Sequence, residues 1–298
     1  MPLLNMRKFE LVITKELDGQ SVGNILRYRF FVSSRLLPEL KRTGGIILNG
    51  KSVTVREKVK EGDVFTLCLC EETPSENVVA VDIPLCILYE DEDILAVSKP
   101  KDMPVHPSLH NYENTLGNAV MYYYRDREFV FRPITRLDRD TTGIVLIAKN
   151  RLSAALLSDS MKNGQIKKTY LAYLSKTPKD KKGEIEAPIE RCDESVIKRK
   201  VSPDGKYALT KYEIVSEKPD GTCVARINPI TGRTHQIRVH MAHIGCPLVY
   251  DYLYGTEIPE KTLFLHCETL DFVHPITREE MHITCPVSPD SELYSALF

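Results

Sequence analysis

The charge of the chain changes sign abruptly near residue 60. Residues 19–60 hold nine Lys/Arg and only two acids, Glu39 and Glu57, whereas residues 61–93 hold ten acids and no basic residue. The overall balance of 40 basic against 41 acidic side chains, a net charge of −1, hides this segregation. A compact basic module followed by an acidic stretch is the asymmetry expected where one module meets phosphates. A merely solvated basic face accounts for the charge alone equally well. A length of 298 residues accommodates two domains.

Composition narrows the classes. Hydrophobic residues make up 42% and charged residues 27%, an ordinary globular balance. No apolar run approaches the roughly 18 residues needed to span a bilayer. The opening MPLLNMRKFELVITKE lacks the apolar core of a signal peptide. The eight cysteines contain no CxxC pair, which fits reduced cytosolic thiols and argues against a disulfide framework or a structural zinc site. The expected location is the cytoplasm.

In residues 20–42, Val22, Ile25 and Leu26, then Leu36, Leu37 and Leu40, recur at helical spacing. Ser33-Ser34 is an N-cap signal for the second helix, and Thr43-Gly44-Gly45 stops it. Ile46–Leu48 and a strand through Val53 and Val55 flank Asn49-Gly50, a hairpin signal. Gly62-Asp63 then turns the chain into Val64–Leu67. Two short basic helices before a small sheet, with GGIILNGKSV and KVKEGDVFTL, resemble the small RNA-binding domain named after ribosomal protein S-four. That resemblance makes Arg35, Arg42 and Lys51 candidate RNA contacts. Glu71–Asn77 is polar, Pro-bearing and non-periodic, so it reads as a linker. The expected division is residues 1–75, an S-four-like α/β domain with its linker, and residues 76–298, a catalytic domain.

Beyond the linker, strands and helices alternate. Ile87–Tyr89 and Ile94–Val97 read as a hairpin, and Thr115 as the cap of a helix burying Leu116, Ala119, Val120 and Tyr123. Gly143–Ala148 reads as a buried strand, Ser153 as the opening of a helix closed by Asn163-Gly164, and Thr169–Leu174 as another strand. The fold class expected is α+β: a mixed, largely antiparallel sheet with flanking helices. No Gly-rich nucleotide loop is present.

Residues 134–150 read ITRLDRDTTGIVLIAKN. Asp138 lies between Arg136 and Arg139, whose charges favour its ionised form, in a loop that enters a buried strand through Thr141-Thr142-Gly143. A carboxylate on a loop held by a rigid strand can act as nucleophile or general base. Taken alone, the run could equally be a surface ion-pair cluster. The segment resembles the catalytic motif of the RluA family of RNA pseudouridine synthases, which places Arg-Leu-Asp before a Thr/Ser-rich turn and Gly. Four further segments are similar to that family's blocks, in order: YEDEDILAVSKPKDMPVHP (89–107), KKTYLAYL (167–174), INPITGRTHQIRVHMAHIGCPLVYDYLYG (227–255) and LFLHCETLDFVHPITREE (263–280). The resemblance spans about residues 84–290. Thr135 departs from it, standing where many members carry His.

The resemblance implies an isomerase that detaches uracil from its ribose, turns the base and rejoins it through a ring carbon. That overall change needs no cofactor. The uridine must first leave its stack, at a cost of a few kcal/mol. By resemblance, Asp138 is the catalytic carboxylate, acting on the anomeric carbon or on the neighbouring ribose proton. Arg136 fills the gap left by the flipped base or holds its neighbours. Tyr170 stacks on the uracil and can handle a proton.

In the third block, Thr234 reads as the N-cap of a helix running to Gly245, with Ile237, Met241 and Ile244 as its core stripe. Arg238 lies about 100° off that stripe. The family pattern makes it the bidentate partner of Asp138, while Arg233 is a phosphate contact. His235, His240 and His243 spread over about 140° of helix surface, too wide for one ion, so no metal is expected. Among Tyr122, Tyr123 and Tyr124, Tyr123 is expected in the core. Lys99 and His106 line an RNA groove or form a structural turn. The expected partner is RNA, ribosomal RNA first and transfer RNA as the alternative. A non-catalytic RNA-binding or ribosome-assembly factor is the rival from another class.

Overall fold

The computed structural model describes residues 6–34, 36–70, 78–108, 111–193, 195, 197–258, 261–289 and 291–297. Arg35 and the polar stretch 71–77 lie outside the described residues.

The N-terminal part forms a four-stranded sheet from β1 (Met6–Val12), β2 (Ile46–Leu48), β3 (Lys51–Ser52) and β4 (Val64–Cys70), in the order β1-β4-β2-β3. Helices α1 (Val22–Tyr28) and α2 (Leu37–Arg42) pack Val22, Ile25, Leu26 and Leu40 against Phe9, Ile46, Phe65 and Leu67. Asn49 and Gly50, with φ of 48° and 78°, make the tight turn that hairpin chemistry requires. Three details differ from the sequence reading. Strand β1, which pairs with β4 along its full length, has no counterpart in the sequence reading. The strand expected through Val53 and Val55 ends at Ser52, because the Val55 and Glu57 carbonyls instead accept the free N–H groups of Gly23 and Val22 at the start of α1. Helix α2 starts at Leu37 with Pro38 in its first turn, and Ser33 Oγ accepts from Leu36 N one turn earlier.

The larger part is built on β5 (Cys86–Glu90), β6 (Ile94–Lys99), β7 (Thr142–Ala148), β8 (Lys167–Leu174), β9 (Lys182–Glu186), β10 (Ile189–Arg191), β11 (Arg199–Val201), β12 (Leu209–Glu217), β13 (Cys223–Pro229), β14 (Leu265–Val273) and β15 (Glu280–Thr284). Nine of these form one sheet, in the order β5-β6-β7-β14-β8-β13-β12-β9 with β15 paired to β14, while β10 and β11 form a separate ribbon. Helices α3 (Leu116–Tyr123), α4 (Arg151–Lys162), α5 (Gln236–His243) and α6 (Glu292–Leu297) complete the fold. The mixed α+β architecture is the one expected.

Within the nine-stranded sheet every pairing is antiparallel except β7 with β14. At this seam Gly143 sits at φ +104°, and a Cβ there would stand 2.3 Å from the Cys267 carbonyl oxygen and 2.7 Å from its nitrogen. Only glycine fits. The close approach matters because Cys267 is in register with Gly143 on one side and with Tyr170 on the other. The seam therefore carries the loop before β7 towards the Tyr170 strand.

Helix caps show where local signals misled. Asn150, not Ser153, caps α4, its side chain accepting from Ser153 N. Thr115 caps α3 as expected, but Tyr124 is the core tyrosine, stacked 4.0 Å from Phe129, and Tyr123 is exposed. The helix ends at Tyr123, so the ideal rotation that assigned the faces no longer applies there.

The two parts touch. Leu152 of α4 is buried in the N-terminal cluster, with Leu156 packed against it. Arg7 donates through Nε and Nη2 to Asp93, at 3.2 and 3.0 Å, and Arg151 pairs with Glu39.

Candidate active site

A cavity of about 630 Å³ opens where the loop before β7, strand β8 and the loop leading into α5 meet. Asp138, Tyr170 and Arg238 all line it, as do Arg136 and Arg233. Sequence reasoning named these five residues from separate motifs, and the fold gathers them at one opening.

The Asp138 loop is held on both sides. Before the acid, Thr135 is buried and its Oγ1 accepts from Leu146 N of β7 at 2.9 Å. After the acid, the buried Lys99 donates to the Arg139 carbonyl at 2.9 Å and to the Pro100 carbonyl at 2.7 Å. Lys99 is thus a loop fastener inside the protein rather than a groove residue. Burial pushes its pKa down to about 8, against the opposing pull of Asp140, Asp138 and Asp102. His106 sits at the surface, edge-on to Phe131.

The charges flanking Asp138 in sequence turn elsewhere. Arg136 donates to Thr234 Oγ1 at 3.1 Å, while Arg139 pairs with Asp102 and Asp140. Facing the Asp138 carboxylate instead are Arg238 Nη1 and His235 Nε2, each 3.9 Å from Oδ2.

Arg238 corrects the expected pairing. Its bidentate partner is Asp251, with Nε donating at 2.8 Å and Nη2 at 2.7 Å, and both residues are buried. Tyr252 and Tyr254 place their rings 5.4 and 5.2 Å from the guanidinium carbon. Burial works against this charge, but the hydrogen bonds and charge of Asp251, and then Asp138, outweigh it and raise the Arg238 pKa. Thr234 does not cap α5 either. His235 takes that position in the left-handed region at φ 57°, its Nδ1 2.9 Å from the Tyr254 hydroxyl. Burial lowers the His235 pKa, so the neutral ring is favoured near pH 7. Along α5, Ile237 and Met241 are buried as expected, whereas Ile244 lies past the helix end and is exposed.

Tyr170 is buried beside Cys267. Burial above all, with the neighbouring Cys267 and Asp138 adding to it, pushes its pKa well above 10, so the phenol stays protonated. Lys168 lines the same cavity and went unnoticed in the sequence. The signal was present, since a two-residue step along β8 puts it on the face of Tyr170. Burial lowers its pKa, and Arg136 adds to the effect. Asp251 had no comparable signal: nothing in its spacing pairs it with Arg238.

Of the remaining candidates, Arg233 stays at the cavity lining and the others lie outside it. Arg233 is exposed and donates to the Tyr207 carbonyl at 2.8 Å. Lys51 and Arg42 are exposed on the N-terminal part and do not line the cavity. His240 is buried between Thr210 Oγ1 and the Ala187 carbonyl, each at 2.9 Å, and His243 is exposed. No helix among the described residues is long and apolar enough to cross a membrane.

Comparison with known proteins agrees with this geometry. The family model described as RNA pseudouridylate synthase matches residues 93–243. A Bacillus subtilis (strain 168) protein described as the uncharacterized RNA pseudouridine synthase YjbO is 40% identical over 265 residues, covering 87% of this chain and 93% of the relative. The ribosomal large subunit pseudouridine synthase D of Xylella fastidiosa is 35% identical over 288 residues, covering 90% and 85%. Among solved structures, human RNA pseudouridylate synthase domain containing 1 matches with a TM-score of 0.60 and 25% identity, over 70% of this chain and 86% of that one. The motif order, the sheet and these relatives agree, and the chain belongs to the RNA pseudouridine synthases of the RluA family.

Proposed function

We propose that this pseudouridine synthase acts on ribosomal RNA in the cytoplasm, with Asp138 as its catalytic carboxylate. The observation that carries the assignment is the convergence of Asp138, Tyr170 and Arg238 on one cavity. A flipped uridine enters with its ribose towards Asp138, and the bond from ribose to the ring nitrogen breaks. The base turns, a ring carbon joins the ribose, the proton on that carbon leaves, and the ring nitrogen ends protonated. The product is an isomer, so no atoms are gained or lost. Tyr170 stacks on the base and donates from its protonated hydroxyl, and Arg238 holds charge opposite Asp138. Arg136 and Arg233 receive the flanking RNA at the mouth.

Support for ribosomal RNA comes from the relatives named as large-subunit synthases and from the basic N-terminal part. Residues 1–75 act as an S-four-like grip on structured RNA, with Arg35, Arg42 and Lys51 on phosphates, and residues 76–298 carry out the chemistry. The test is a pseudouridine map of total RNA from cells with and without the protein, complemented with wild type or Asp138→Asn. A ribosomal uridine should lose its modification and regain it only with wild type. A site restored by Asp138→Asn overturns the catalytic assignment, and a lost site in transfer RNA overturns the substrate.

A further inference from the structure

Phe31, just beyond α1, and Arg278, in the turn between β14 and β15, meet across the junction of the two parts. The Arg278 guanidinium carbon stands 4.4 Å above the Phe31 ring, which is 50% exposed. Both residues occupy the left-handed region, at φ 51° and 67°. Bulky side chains rarely adopt it, and such strain persists where the surroundings impose it, often at binding sites. Burial lowers the Arg278 pKa with no acid raising it. Close by, Arg27 lies 5.5 Å from the ring of Tyr28, which is 60% exposed.

This pair borders a cleft of about 760 Å³ between the α1–α2 segment and α4. Among the described residues, its charged lining is Arg27, Lys162 and Arg278 against the acid Asp159. Lys162 also lines the active-site cavity, so one side chain joins the two openings. Cations beside exposed aromatic rings are the combination that holds single-stranded nucleic acid, the cations tracking phosphates and the π-faces taking bases of any sequence.

We propose that this junction cleft binds unpaired nucleotides of the substrate RNA, one base stacking on the Phe31–Arg278 pair while the strand continues past Lys162 to the active site. The inference rests on the reading of the protein as an RNA-modifying enzyme and adds a second contact outside the cavity where the chemistry occurs. It also gives the two parts a shared task, because the stacking pair exists only when they are in contact.

The test uses the full chain and an oligoribonucleotide of about 12 nucleotides carrying 2-aminopurine, either single-stranded or annealed to its complement. Single-stranded binding by wild type should quench the fluorophore. Phe31→Leu, which keeps apolar volume but has no ring, should bind about 10-fold more weakly and abolish the quench, whereas Phe31→Trp keeps both. Arg278→Gln should weaken binding and reduce the salt slope by about one. Duplex affinity should change little. Thermal melts confirm folding, and if Phe31→Leu fails to fold, Arg278→Gln carries the test. Wild-type affinity and quench in the folded variants would overturn the proposal, as would a lowered melting temperature with unchanged affinity, which would mark the pair as an interdomain clasp. Failure of the catalytic reading is scored separately, by the absence of pseudouridine in RNA treated with wild type.

Discussion

Arg238 gives its Nε–H and one Nη2–H to Asp251 and keeps only Nη1 towards Asp138, 3.9 Å away. The arginine is therefore oriented by a buried acid before any RNA arrives. A guanidinium fixed in this way opposes Asp138 without neutralising it through a direct hydrogen bond. Preorganised charge of this kind need not be rearranged during the reaction.

Asp251→Ala should then destabilise the fold by about 3–5 kcal/mol, because it strands a buried cation. Urea denaturation measures the loss. Replacing the pair with apolar residues, Arg238→Met with Asp251→Leu, should recover much of the stability while leaving turnover at the level of Arg238→Met alone. If the double variant regained activity, the pair would be structural only.

For Tyr170, two roles differ by one oxygen atom. Tyr170→Phe preserves the stacking face, so RNA affinity should hold while the single-turnover rate falls roughly 10²–10⁴-fold. Tyr170→Leu should lose both. A Phe variant as fast as wild type would leave the residue as a stacking platform. Because burial holds the phenol protonated well above pH 10, activity should not decline below pH 9 through its ionisation.

Lys99 makes a prediction about pH. Its pKa falls from 10.5 in the unfolded chain to about 8 in the folded protein. Between those values the unfolded state binds the extra proton, so rising pH favours folding, by up to about 3 kcal/mol across the window. Lys99→Met lacks this increment. Unfolding curves from pH 7.5 to 10.5 should therefore show wild type gaining stability relative to the variant, and parallel curves would contradict the buried-charge account.

Removing residues 1–75 should cost stability as well as affinity. The truncation uncovers Leu152 and part of Leu156 and leaves Asp93 without Arg7. Exposing one buried leucine alone is worth about 1.5–3 kcal/mol. The loss of twelve basic side chains should also flatten the salt dependence of RNA binding. Melting temperature and a salt titration read the two effects separately. An unchanged salt slope would show that the N-terminal part makes no phosphate contacts.

The sequence by itself determined the types of many elements, though not β1 or the end of β3, together with the hairpin at Asn49-Gly50, the α+β class and the five residues that meet at the cavity. Each rests on information local to a short segment: a period of two or 3.6, a turn dipeptide, or an ordered motif. Tertiary structure decided what depends on residues far apart in the chain. Arg136 and Arg139 flank Asp138 in sequence, yet the charge that faces it comes from Arg238, a hundred residues later. Asp251 is bound to Arg238 because the chain after α5 folds back beneath it, and Lys99 is a fastener because β6 ends under the Arg139 carbonyl. The caps of α4 and α5 moved to Asn150 and His235, since loop direction, not residue preference alone, sets which group reaches a helix terminus. Local pattern fixes conformation along a segment, but a side chain's partner is whatever packing brings within about 4 Å, and that is a property of the whole fold.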